Sequence, residues 1–167
     1  HAYARVYEPA LAAREVDGQA VIVVGVDPAA ESESGGLLDG MAAEGRPHDR
    51  TVLVGSTLAR DAGFSVGDEI AILGQRADGS IAADLFTVGG ILSTPVDLVN
   101  RTGIVVSLET AQDTFGMPDM AHEITLRGEG SGEEAEALAD RVRALPEMAG
   151  LEVLPWRQLA PELAAAL

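Results

Sequence analysis

Three histidines, His1, His48 and His122, are the chain's imidazoles, and none stands in an H-x-x-x-H or H-x-H spacing. A zinc centre would therefore need convergence from three distant segments, and surface or half-buried imidazoles are the simpler reading. Gly55-Ser56-Thr57 places a hydroxyl after a glycine. It lacks the second glycine of G-x-S-x-G, which lets the chain turn sharply enough to expose a nucleophile. Ser56 reads instead as a helix cap. Gly35-Gly36 and Gly89-Gly90 are followed by no G-K-[ST], so neither builds a phosphate cradle. Glu129, Glu133, Glu134 and Glu136 cluster at an expected helix start, where acids favour the positive dipole end. Acid–base work would need a buried carboxylate, which so polar a context does not supply. No D-x-[DN]-x-[DN]-G calcium loop is present, and the stretch around Glu31 and Glu33 is at most a weak cation site. These patterns assign no catalytic residue, no cofactor and no metal.

One loop is better suited to contact than to chemistry. Residues 93–101 carry apolar Val96, Leu98 and Val99 beside Asp97, Asn100 and Arg101. Exposed apolar loop residues mark contact surfaces, so these six are the candidate partner-contact residues; an ordinary hairpin connection is the plainer alternative. Trp156, the single tryptophan, reads as a core anchor at a strand-to-helix junction.

The elements that must position these residues belong to a 167-residue chain, long enough for one domain or two small subdomains. Its 47% hydrophobic and 23% charged residues are globular proportions. There are 27 acids against 11 basic side chains, all arginine, and the formal net charge is -16. Such a surface repels nucleic acid and anionic headgroups. No apolar run of about 18 residues is present to span a bilayer. The absence of cysteine excludes disulfides and thiolate chemistry. The chain opens without methionine or a leader, and is expected to be a piece of a longer protein.

The expected class is α+β. Strands are expected at 4–8, 20–26, 51–54, 69–73, 81–92, 103–108, 123–126 and 151–154. Asp17-Gly18 and the segment 77–80 are read as hairpin turns. The run 20–26 is apolar enough for burial on both faces. Short helices are expected at 57–62, stopped by Gly63, and at 109–115, stopped by Gly116. Residues 31–50 read as loop with a helical turn, and 93–102 as loop. Ser131 and Glu134 match a capping box, with Ala135, Leu138, Ala139, Val142 and Leu145 as the apolar stripe behind it. Residues 121–155 would then form a strand–helix–strand unit, with a helix from Trp156 onward.

Taken in order, these segments resemble the MacB-like periplasmic core domain family. Val23-Val24-Gly25-Val26-Asp27-Pro28 is similar to its vVGvDP signature, and Val52-Leu53-Val54-Gly55-Ser56-Thr57-Leu58-Ala59 to its vlvG..lA. Val66-Gly67-Asp68-Glu69-Ile70, Phe86-Thr87-Val88-Gly89-Gly90-Ile91 and the stretch 105–112 continue the pattern. Trp156-Arg157-Gln158-Leu159-Ala160-Pro161-Glu162-Leu163 resembles the W..l.pel before a second membrane helix. Within the family the pattern resembles the LolC/LolE lipoprotein-releasing, FtsX-like permease type more than the macrolide-exporter branch.

The resemblance implies a non-catalytic, periplasm-facing domain of an inner-membrane ABC transporter permease. It would transmit conformational change from a separate cytoplasmic ATPase subunit to export or lipoprotein release. Implied partners are that ATPase, a second permease copy (homo- or heterodimer) and a periplasmic carrier or adaptor protein, with no nucleic acid. Also implied are a strand–helix–strand porter-like part (1–27 with 121–155), a β-rich sabre-like part (28–120) and a helix, 156–167, leading toward a membrane span. The family's strand and helix ahead of Ala4-Arg5-Val6 are expected to be missing. The rival class is a soluble periplasmic ligand- or peptide-binding module with a pocket between the β-rich part and the helix. A hydrolase using paired carboxylates has no spacing to support it.

Overall fold

The computed structural model describes residues 1–14, 17–33, 35–128 and 132–159. The small and β-branched residues of the first 26 positions form a long antiparallel hairpin of β1 (Ala2–Ala13) and β2 (Gly18–Val26). There follow β3 (Thr51–Gly55), β4 (Glu69–Gln75), β5 (Ile81–Leu92), β6 (Gly103–Ser107) and β7 (Glu123–Leu126). β2 runs parallel to β6, β6 antiparallel to β3, and β3 parallel to β5. β5 is antiparallel to β4, and β4 to the C-terminal end of β1. Because β1 pairs with β2 as well, β1 to β6 close into a six-stranded barrel, and β7 adds beside β1. Closure leaves those six strands without a long unpaired edge.

Side chains alternate along a strand, so each stave presents two faces. Val6, Val21, Val23, Val52, Val54, Ile70, Ile72, Phe86, Val88, Ile104 and Val106 face inward as the main core. The helices α2 (Ser56–Ala62) and α4 (Leu108–Phe115) add Leu58, Ala59, Ala111 and Phe115 to it. On the outer face of β2, β6 and β3 a second cluster joins Val24, Val26, Val105 and Leu53 to Leu38 and Leu92. Residues 21–26 are thus covered on both sides, as the composition of the run predicts, while Ala20 is exposed. Gly63 and Gly116 stop α2 and α4 in left-handed conformations, φ 70 and 64, where a Cβ would be strained.

The class is α+β, and most elements lie within a residue or two of expectation. Four readings change, the first being β1, which runs on to Ala13 instead of ending at residue 8 because residues 10–13 pair with β4. Residues 93–102 are not simply loop, because Asp97–Thr102 forms a helix, α3, after α1 (Pro28–Glu31). Val99 of α3 packs against the second cluster, a long-range contact that local polarity does not show. Ser56 is the first residue of α2 rather than its cap; Gly55 takes the cap position, and no side chain caps that end. Residues 151–154 form no strand. The carbonyl of Val153 is taken by Arg143, at 3.1 Å from Nε and 2.8 Å from Nη2, instead of joining a ladder.

The chain divides into two compact units, Ala2–Thr125 and His1 with Leu126–Leu167. β1 and β2, which a boundary at residue 27 would set apart from 28–120, are staves of one barrel with β3–β6. In the other unit α5 (Gly132–Arg143) buries Ala139 of the expected stripe, while Leu145 is exposed. α6 (Trp156–Leu159) begins where the sequence suggests. Glu129, Ser131, the Trp156 side chain and residues 160–167 lie outside the described residues.

Gly25 lies on the inner face of β2, where an added Cβ would come within 2.4 Å of the Ala111 Cβ on α4. Neither backbone can retreat easily. Gly25→Ala is therefore expected to cost roughly 1–3 kcal/mol by overpacking, read from the midpoint of urea unfolding. An unchanged midpoint would show that α4 does not pack this closely.

Candidate partner-binding site

The six contact candidates gather on α3 and its N-terminal lead. Asn100 holds that lead in place: its Oδ1 accepts from the Thr94 N–H at 2.9 Å and its Nδ2 donates to the Thr94 carbonyl at 2.8 Å. The Thr94 hydroxyl accepts from the Val96 N–H at 3.0 Å. Gly55 lets α3 lie against β3, since a Cβ there would fall 2.2 Å from the Val99 carbonyl oxygen. Arg101 pairs with Asp97 across one helical turn at 2.6 Å, with both side chains exposed. Such a surface pair stabilises by only about 0.3–0.5 kcal/mol. The six residues thus divide by role. Val99 and Asn100 anchor, Asp97 and Arg101 decorate, and Val96 and Leu98 stand out at 50% and 60% exposure.

Val96 and Leu98 form one lip of a groove of about 770 Å³, and the segment 35–41 forms the other. Leu37, Met41, Ile91 and Val99 line it, above Arg5 and Tyr7. Under the second lip sits a carboxylate whose burial and pairing the sequence did not show. Glu31 is fully buried. Its Oε1 meets Arg5 Nε at 2.5 Å, and its Oε2 accepts the Leu37 N–H at 2.7 Å. Arg5 also reaches Glu123 Oε1 at 3.4 Å, and the Tyr7 hydroxyl donates to Glu123 Oε2 at 3.0 Å. Glu31 therefore ties the segment that leads into the lip to β1. It is not open to a weakly held cation, which corrects the expectation for the Glu31/Glu33 stretch.

Burial alone would lower the pKa of Arg5, but its bonds to Glu31 and Tyr7 outweigh that and raise it. Tyr7 is pushed above the usual phenol range, first by burial and then by Glu123, against the pull of Arg5. The histidines have separate partners. His122 Nδ1 accepts the Tyr7 N–H at 3.0 Å with Nε2 3.7 Å from Glu8, while exposed His48 lies 3.6 Å from Asp49. Among the described residues no three His, Asp or Glu side chains form a group that could hold a metal ion. The only sequence signal for the buried pair was Asp27-Pro28 ahead of Glu31, which starts α1 and turns Glu31 inward.

Arg5→Met leaves the Glu31 carboxylate buried with a single remaining donor. Breaking one side of a buried pair costs about 3–5 kcal/mol, and the partial exposure of Arg5 puts this case near the low end. Urea unfolding measures it, and a loss below about 1 kcal/mol would match an exposed pair instead. The raised Tyr7 pKa also has a sign. Stability from neutral Tyr7 is complete below the unfolded value of about 10 and drains as pH rises through the folded value. Tyr7→Phe should flatten the fall of stability above pH 10, and an unchanged slope would contradict it.

Residues 2–145 match the family described as MacB-like periplasmic core domain. Among solved structures, the chain is similar to the extracellular domain of the noncanonic ABC-type transporter YknZ from Gram-positive bacteria. That likeness has a TM-score of 0.59 at 12% identity and covers 92% of this chain and 78% of that one. It is also similar to a domain ascribed to a permease protein from Porphyromonas gingivalis, with a TM-score of 0.47 at 15% identity over 86% and 62% of the two chains. Nothing below rests on that second likeness. No curated protein sequence matches the chain. At 12% identity the YknZ likeness concerns fold, but the family match takes in the whole barrel, its cover and all of α5. The chain belongs to the MacB-like periplasmic core domain family and has the fold of the extracellular domain of an ABC-type transporter.

Proposed function

We propose that this domain is a non-catalytic, periplasm-facing part of an ABC transporter permease. It carries conformational change from a separate cytoplasmic ATPase subunit to export or lipoprotein release. The family match over residues 2–145 is the observation that carries this reading. The barrel supplies its mechanics. A closed ring of hydrogen-bonded staves with a packed interior resists shear, so displacement at one end reaches the other without being absorbed in between. The ATPase acts through the full-length permease, which pairs with a second permease copy. A periplasmic carrier or adaptor contacts Val96, Asp97, Leu98, Val99, Asn100 and Arg101, with Val96 and Leu98 as the apolar points of contact. The acidic surface keeps the domain off anionic headgroups and favours a basic partner.

A second reading, a ligand- or peptide-binding module, draws on the groove of about 770 Å³. It requires that a defined ligand raise the melting temperature by mass action, whereas a transmission domain shows no such shift.

Two measurements test the first reading. The complete gene should encode hydrophobic runs of about 20 residues on both sides of this segment, and their absence would refute it. Val96→Ser combined with Leu98→Ser should leave unfolding within about 0.5 kcal/mol of the parent, as exposed substitutions do. In the full permease the same pair should reduce crosslinking to the periplasmic partner about tenfold and uncouple ATP hydrolysis from release. Unchanged crosslinking would remove α3 from the contact.

A further inference from the structure

An antiparallel sheet normally packs one face and wets the other with polar side chains. β1, β4 and β5 depart from this. Their inward residues fill the barrel, yet a block of neighbouring outward residues is apolar too, between Arg5 and Tyr7 of β1 and Glu69, Gln75 and Thr87 of β4 and β5. Leu11, Leu73 and Ala83 stand in one cross-strand row, and Ala13, Ala71 and Leu85 in the next. Leu11 and Leu85 are each 51% exposed and Leu73 41%, and Ile81, two residues from Ala83, is 78% exposed. A shallow depression of about 600 Å³ lies over β4 and β5 there. The other half of the barrel is also apolar outside, but Leu38, Leu92 and Val99 cover Val24, Leu53 and Val105. One apolar exterior is covered by the chain itself, and the other is exposed among the described residues, an arrangement that marks an interaction surface.

The rim decides what fits. Arg50 is bound to Asp84 at 2.7 Å and Arg14 to Asp68 at 3.0 Å, so both nearby arginines are already paired. Glu69, exposed at the edge of the depression, has no ion-pair partner among the described residues. The free charge at the rim is therefore acidic, on a chain of net charge -16. A second copy would set Glu69 and that same excess of acid against itself. An anionic lipid surface would be repelled in the same way.

We propose that the outer face of β1, β4 and β5 docks a partner protein through an apolar patch edged by lysine or arginine, with Glu69 pairing to one of those basic groups. The patch lies on the opposite half of the ring from α3, so this contact is separate from the one at Val96–Leu98. Apolar burial would supply affinity, and the Glu69 pairing orientation and on-rate.

The test uses the full-length protein in its own membrane. It carries Leu73→Cys or Leu85→Cys labelled with a photoactivatable benzophenone maleimide, with Val66→Cys, exposed but off the patch, as the control. This segment contains no cysteine of its own, so each label occupies one site within it. The proposal expects the same protein to crosslink from Leu73 and Leu85 and not from Val66. The crosslinked peptide should carry lysine or arginine beside apolar residues, and added Glu69→Lys should cut the yield about tenfold. Adducts to a second copy, to lipid or to residues 160–167 of the same chain would overturn it. So would an acidic partner peptide, indifference to Glu69→Lys, or no adduct from either position.

Discussion

β1 is hydrogen-bonded along one edge to β2 over residues 5–13, and along the other, over 10–13, to β4. This double use closes the ring and ties every other feature to one register. Side chains repeat every two residues, so a slip of one would carry Val6, Ala10 and Ala12 out to solvent and bring Leu11 in. The small residues are as necessary as the large ones. An added Cβ at Gly74 would come within 2.8 Å of Phe115, so the bare backbone there leaves room for the aromatic ring that α4 inserts. Phe115 and Gly74 are a matched pair of large and small, and the barrel's width follows from such pairs.

The covering of one side of this barrel depends on a charge. Glu31 lies between its own helical turn and β1, satisfied by the Arg5 guanidinium and the Leu37 N–H. A buried pair of this sort adds little net stability compared with apolar packing, since desolvation offsets most of the attraction. Its effect is positional. It sets where the segment 35–41 lies, and through Leu38 it closes the second cluster over β2 and β6. One half of the barrel thereby becomes a covered wall with an apolar groove at its lip, while the β1–β4–β5 half keeps its exposed leucines. The two proposed contacts follow from this asymmetry, one on each side of the same rigid ring.

Much of this was legible in the linear chain, for a local reason. β-strand runs such as 81–92 and 123–126 announce themselves through composition bounded by turn residues. Gly63 and Gly116 stop their helices because the left-handed backbone is a property of the residue itself. Where the stabilising contact is distant, reading failed. α3 owes its form to Asn100 bonding back to Thr94 and to Val99 packing on the barrel, while its polar composition suggested loop. Leu151 and Val153 alternate like a strand, but no neighbouring strand takes up the Val153 carbonyl, and Arg143 does. The six contact candidates were chosen by residue type. Their division into anchors and exposed tips could not be read that way.

By itself the sequence determined most of the element types, the helix stops, the acidic character and the ordered motifs of the family, all of which depend on composition or on neighbours a few positions apart. Tertiary structure alone decided that Glu31 is buried rather than solvated, that six strands close into a ring, and which outer face stays bare. Those outcomes rest on partners far apart in the chain, as Arg5 and Glu31 are by 26 residues. Solvation and pairing compete for the same charged or apolar group. Which one prevails depends on what the folded chain brings next to it, and that is not written at any single position.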